Sequence, residues 1–215
     1  MKSRQKQPKV IFVDWNGTLS NSKFWEQLND PVHDLHKLHS QLETWLFKEH
    51  YSLVDDWMLG KTSAEEICER IGEGINKKPQ EIFRELTVSC KNMKLCDSRI
   101  PGILKRLKVA GIEIAIASDN MDVFRRFTIP ALKLNQIFDG FLLSNEIGSY
   151  KYEARERKLP FFDNYLKTRK ASYEDVVLLD DSEEKTGTFK NSGFEIIQTK
   201  TPGSLVAALN SLLPK

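Results

Sequence analysis

The sequence predicts an α/β fold, an open, doubly wound parallel sheet interrupted by a block of helices, and three observations carry that prediction. Short continuous apolar runs, each closed by a polar turn, recur at 10–13, 112–117, 141–143, 176–179 and 194–197, the pattern of parallel strands covered on both faces. Helical spacing fills most of the intervals, with Ile103, Leu104, Leu107 and Ala110 ahead of the second run and Phe161, Phe162, Tyr165 and Leu166 ahead of the fourth. Between Asn21 and Asp97 there is no strand pattern at all, only amphipathic stretches.

The first run, VIFV, is followed by DWNGTLS, which sets Asp14 at the carboxyl end of a strand and Gly17 and Thr18 in the turn behind it. The strand-free interval comes next. Leu35, Leu38, Leu42, Trp45 and Leu46 form one helical stripe, Ile67, Ile71 and Ile75 a second, and Ile82, Phe83 and Leu86 a third. Ser63 and Glu66 have the spacing of a capping box at the start of the second stripe. At 77 residues the interval is too long for a loop and reads as a lid over the strand ends. The expected division is therefore a core of 1–20 and 98–215 and a helical cap of 21–97.

The later strands each end on a residue that can do chemistry. IAIASDN brings the Ser118 hydroxyl to the same edge, with Asn120 in the loop beyond it. NEIGSYKYE supplies Lys151, and VVLLDDSEE supplies Asp180 and Asp181. Ligands of open α/β sheets bind outside the carboxyl ends of the strands, so these side chains are expected to converge. A carboxylate there can be a nucleophile or a metal ligand, and a hydroxyl can hold an anionic oxygen.

Taken in order, Asp14 with Gly17-Thr18, the Ser118 strand, the lone Lys151 and the Asp180-Asp181 pair resemble the four motifs of the haloacid dehalogenase-like (HAD) hydrolase superfamily, whose core is Rossmann-like. The helical interval is similar to that family's C1-type cap, and Pro101-Gly102 and Phe138-Asp139 fall where the family has familiar positions. The resemblance implies a Mg²⁺-dependent phosphohydrolase acting on a small phosphorylated metabolite. It implies that Asp14 attacks phosphorus to give an aspartyl-phosphate, and that Ser118, Lys151, Thr18 and Asn120 hold the substrate. Asp14, Asp181 and the main-chain carbonyl of Asn16 would bind Mg²⁺, with Asp180 in support. Mg²⁺ suits such a set, being a hard cation that takes carboxylate, phosphate and water oxygens.

Asn16 departs from the pattern, for the family's phosphatases usually carry a second Asp there as general acid and base. An amide cannot trade a proton near neutral pH, and such catalysis is worth about 10²- to 10⁴-fold. Three readings follow: a specialised phosphohydrolase, a phosphate-binding or regulatory relative with little turnover, and a haloacid dehalogenase. The last is least favoured, because the Asp180-Asp181 pair argues for a cation that halide displacement does not need, and dehalogenases usually have Tyr at the position of Asn16. A further acid or Asn is common about four residues past the metal-binding Asp; this chain has Lys185 there, with Glu183 and Glu184 nearby.

Composition bounds the rest. The 215 residues carry 32 Lys+Arg against 30 Asp+Glu, a net charge of +2 that points to neither nucleic acid nor a membrane surface as partner. No apolar stretch approaches the roughly 18 residues of a spanning helix, and VIFV is too short for a signal sequence. Cys68, Cys90 and Cys96 lack zinc spacing, which fits a cytoplasmic protein with free thiols. The first nine residues are expected to form a loose arm. His33, His36 and His39 would splay around a helix rather than converge on a metal. Trp25, Trp45 and Trp57 are expected in the cap core, Trp15 in packing away from Asp14, and Arg125 and Arg126 on a solvated face.

Overall fold

The computed structural model describes residues 7–156, 158–184 and 187–214; Lys185 lies outside them. Five parallel strands, β1 (Val10–Val13), β2 (Glu113–Ser118), β3 (Gly140–Leu143), β4 (Val176–Asp180) and β5 (Glu195–Gln198), form one sheet in the order β3-β2-β1-β4-β5. The chain works outward from β1 on one side through β2 and β3, then returns to pair β4 with the other side of β1. That reversal between β1 and β4 opens a crevice at their carboxyl ends, where an α/β sheet takes its ligand.

Both faces of β1 are buried, which explains its unbroken apolar run. Val10 and Phe12 pack with Phe162, Phe189 and Phe194, while Ile11 and Val13 join a larger cluster that continues into the inserted helices. The helix Pro160–Thr168 covers the first face, in line with its sequence stripe.

Between β1 and β2 the chain forms α1 (His36–Thr44), α2 (Tyr51–Met58), α3 (Ala64–Ile75), α4 (Pro79–Asn92) and α5 (Ile100–Val109), and no strand. The capping box at α3 is present: the Ser63 hydroxyl accepts from the Glu66 N–H at 3.3 Å, and the Glu66 carboxylate accepts from the Ser63 N–H at 2.7 Å. The stripe that begins in α1 runs on through a wider turn, Trp45–Glu49, where His50 Nδ1 lies 2.8 Å from the Trp45 carbonyl and the two rings stack. Of the helices of eight residues or more, two are absent from the sequence-based expectation, α2 and Pro202–Ser211.

Polar contacts tie the inserted helices to the sheet's loops. The Ser144 hydroxyl donates to the Met58 carbonyl at 2.7 Å, Tyr150 to Asp55 at 2.7 Å, and the Trp57 indole to Asp122 at 2.6 Å. Gly60, at φ +70°, presses so closely on the Asn145 carbonyl that a Cβ would sit 2.0 Å from its oxygen.

Some surface expectations hold and others change. Arg125 and Arg126 do lie on a solvated face, where they form surface ion pairs: Arg125 forks onto Glu146, and Arg126 bridges from the β2 side to Glu65 on α3 and to Asp122. Lys9 does not belong to a loose arm, since its N–H donates to the Asp175 carbonyl and its ammonium lies 3.0 Å from the Asp175 carboxylate; residues 1–6 lie outside the described residues. Trp25 and Trp57 are buried as expected, whereas Trp45 is only partly covered. His36 bonds the Leu28 carbonyl through Nδ1 and His33 lies 3.6 Å from Glu85, and neither joins a metal-ligating cluster among the described residues. Burial pushes the Cys68 and Cys90 thiols up to about 12, so both are inert packing groups. No helix among the described residues is long and apolar enough to cross a membrane.

Candidate active site

The turn after β1 folds back on itself. Asp14 N–H donates to the Leu179 carbonyl, the Gly17 N–H to Ser20, and the Ser20 N–H to Trp15, which fixes Asp14 between β1 and β4. Gly17 stands at φ +75°, and a Cβ there would lie 2.4 Å from Asp181 Oδ2, so only glycine lets this turn approach the acidic pair. The alternation that turns Asp14 into the crevice sends Trp15 away from it, to full burial against Phe124.

Lys151 occupies the centre. It is 3% exposed, and its ammonium forms ion pairs with Asp14 Oδ1 at 3.0 Å and with Asp180 Oδ2 at 2.5 Å. Burial opposes its charge, but Asp14, Asp180 and Asp119 outweigh burial and hold the ammonium above the usual lysine range. Its own backbone is anchored, the Lys151 N–H donating to Asp119 Oδ1 at 2.8 Å.

Asp14, Asp180 and Asp181 each offer an oxygen to one point, these atoms lying within 4.8 Å of one another. Burial raises Asp14; Lys151 pulls it down and Asp180 pushes it up, and the balance is above the ordinary carboxylate value. Asp181 is also raised, by burial and then by Asp180. Such a donor set, all oxygen and short of positive charge, fits a hard divalent cation.

Two hydroxyls at the same edge are conspicuous. Ser118 Oγ and Thr18 Oγ1 are buried and have no hydrogen-bond partner, an arrangement that costs about 1–3 kcal/mol per group unless a ligand satisfies it. Asn120 is different: it is buried, and its Oδ1 accepts from the Met121 N–H at 3.0 Å, so its side-chain oxygen is already engaged. Asn16 is exposed and lines a cavity of about 570 Å³ beside Gly17 and Asp119. Sequence reasoning gave no role to Asp119 or to Tyr152, whose pKa is raised by burial and then by the neighbouring Asp180. Their only signal was adjacency to Ser118 and Lys151.

No protein-family model and no curated protein matches the sequence. Solved structures do match by shape. A predicted HAD-like family hydrolase from Porphyromonas gingivalis superposes with a TM-score of 0.69 at 15% identity, covering 98% of this chain and 100% of that one. A HAD family enzyme from Bacteroides thetaiotaomicron, in a mutant complex with magnesium and inorganic phosphate, gives 0.64 at 16% identity over 91% and 95%. L-2-haloacid dehalogenase from Xanthobacter autotrophicus, with chloropropionic acid covalently bound, gives 0.60 at 12% over 95% and 83%. The sheet order, the helices inserted behind β1 and these superpositions together establish that the chain has the fold of the HAD-like hydrolases.

Proposed function

We propose that the protein is a Mg²⁺-dependent phosphohydrolase of small phosphorylated metabolites, with residues 21–97 acting as a C1-type cap over a core of 1–20 and 98–215. The observation that carries this reading is the buried ammonium of Lys151 held between Asp14 and Asp180, with the Ser118 and Thr18 hydroxyls unsatisfied at the same edge. Such an edge is built to receive an anion bearing several oxygens. The Mg²⁺ and phosphate in the Bacteroides thetaiotaomicron enzyme support the same chemistry.

Asp14 attacks phosphorus through a carboxylate oxygen, the bond from phosphorus to the leaving oxygen breaks, and the electron pair departs with that oxygen. Water then attacks the phosphorus of the aspartyl-phosphate, releasing inorganic phosphate and restoring Asp14. Lys151, Ser118 and Thr18 hold the phosphoryl oxygens, and Lys151 offsets the charge that gathers as the nucleophile approaches. Mg²⁺, held by Asp14, Asp181 and the Asn16 carbonyl with Asp180 in support, would supply further neutralisation of that charge. Asn16 has no proton to give the leaving oxygen, so substrates whose leaving group is already a weak base are favoured.

Asn16 also sustains a second reading, a phosphate-binding protein with little turnover. Dehalogenation is disfavoured by the three converging carboxylates. The deciding experiment is a Mg²⁺-dependent screen of acetyl phosphate and p-nitrophenyl phosphate beside sugar and nucleotide monoesters. Turnover confined to the first two and abolished by Asp14→Ala is the expected result. Phosphate binding without turnover on any compound would favour the second reading, and an Asp14→Ala variant as active as the parent would remove the nucleophile assignment.

A further inference from the structure

The cavity that opens at Asn16 and Gly17 is lined in part by residues of the inserted segment, and its larger side chains are apolar. Phe24, Phe47, Met58 and Met93 come from the inserted segment and Met121 from the loop after β2. These are aromatic and thioether groups, which make broad adaptable contact with apolar matter and offer little to a polyol. The hydroxyls that border the cavity each accept a backbone bond, Ser20 Oγ from the Ser22 N–H at 3.2 Å within the same turn and Ser22 Oγ from the distant Lys94 N–H at 3.1 Å, while the Asn16 and Asn21 amides stand at the polar end.

Three charges interrupt the apolar wall, Asp119 at the end next to Ser118 and Glu43 and Lys23 farther out. Glu43 stands one helical turn before Phe47, is partly buried, and has no hydrogen bond or ion pair among the described residues. Lys23 is exposed at the rim, also without an ion pair among them. The partly buried carboxylate is less screened by water than the exposed ammonium, so the field inside the cavity favours a positive group. A carboxylate beside aromatic faces is the combination that receives an ammonium.

We propose that this cavity seats the body of the substrate and that the substrate class is a phosphate compound with a compact apolar body ending in an ammonium or comparable donor, recognised by Glu43. This rests on the phosphohydrolase reading and narrows it. The phosphoryl group sits at Lys151 and Ser118, the apolar body lies along Phe24, Phe47 and Met58, and the positive end meets Glu43. A volume of about 570 Å³ accommodates a small organic chain or ring of this kind.

Binding of non-hydrolysable phosphonates in the presence of Mg²⁺, measured by calorimetry, tests each part separately. Butylphosphonate should bind about tenfold more tightly than methylphosphonate, because three further methylenes leave water. 4-Aminobutylphosphonate should gain about another fivefold and 4-phosphonobutyrate should lose at least as much. Phe47→Ala should shrink the butyl-to-methyl ratio, and Glu43→Gln should erase the amino-to-butyl ratio while leaving methylphosphonate affinity unchanged. If all four phosphonates bind with equal affinity, or 4-phosphonobutyrate binds best, the cavity assignment is overturned and the phosphohydrolase reading stands. Absence of Mg²⁺-dependent binding by any of them, together with no turnover of acetyl phosphate, would overturn both.

Discussion

Replacing Lys151 by Met removes one charge while keeping an unbranched side chain in a fully packed position. With the ammonium 3.0 Å from Asp14 and 2.5 Å from Asp180, each attraction is worth roughly 5–7 kcal/mol at an effective dielectric of about 20. Desolvation of the ions takes back much of that sum, and removing one partner from a buried pair costs about 3–5 kcal/mol net, because the carboxylates are left uncompensated. The pH dependence has a definite sign. Asp14 is already raised by burial and rises further once Lys151 is gone, so the folded variant holds a proton that the unfolded chain releases at lower pH. Relative to the parent, whose Asp14 is itself raised to about 7, the deficit is therefore smallest below that value, grows as pH climbs from there toward the variant's higher folded value, and is complete above it. Mg²⁺ should recover part of the loss by supplying charge to the same carboxylates. Denaturant midpoints at pH 5 and pH 8, each with and without Mg²⁺, measure all of this. A Lys151→Met variant within about 1 kcal/mol of the parent at pH 8 without metal would refute the view that this ammonium compensates the acidic cluster.

Three further outcomes follow from other parts of the molecule. Asn16→Asp should raise turnover of alkyl phosphate monoesters by about 10²-fold or more while changing acetyl phosphate hydrolysis little, read as a flatter dependence of kcat on leaving-group basicity. Gly17→Ala forces a Cβ into Asp181 at a positive φ, so Mg²⁺ titration should show weakened binding and the fold should lose about 1–2 kcal/mol; parent-like Mg²⁺ affinity would contradict the close approach of turn and carboxylate. Ser63→Ala opens the capping box of α3 and should cost about 1 kcal/mol in chemical denaturation, with Ser63→Thr restoring most of it.

The strands were legible because burial on both faces forces continuous apolar runs, and β1, β2 and β4 show little else. Chemistry-bearing residues at the ends of those runs were legible for the same reason: once β1 is placed, Asp14 has one location. α2 was hidden because YSLVDDWM buries only Val54 and Trp57 fully, too few positions to declare a helical stripe in eight residues. The engagement of Asn120 was hidden as well, since a hydrogen bond to the next residue's N–H leaves no trace in spacing. The pairing of Arg126 with Glu65 lies beyond sequence reading, because Glu65 is 61 positions away and comes near only when α3 packs on the loops of the sheet, whereas its pair with Asp122 sits at ordinary i,i+4 spacing.

The order of strands has a consequence for how the chain reaches this state. β1 precedes the other four strands of the sheet, yet it sits at the middle, and its second neighbour, β4, follows only after β2, β3 and the inserted helices. Lys9 and Asp175, which close that edge, are 166 positions apart. On a ribosome, β1 therefore waits with one apolar flank exposed while β2, β3 and all the inserted helices emerge. Pairings this distant in sequence form slowly, and an unpaired central strand is where wrong partners add. The candidate site, which straddles β1 and β4, is thus among the last features to assemble, and a chain released short of residue 176 would carry Asp14 and Ser118 without the acidic pair that completes the cluster.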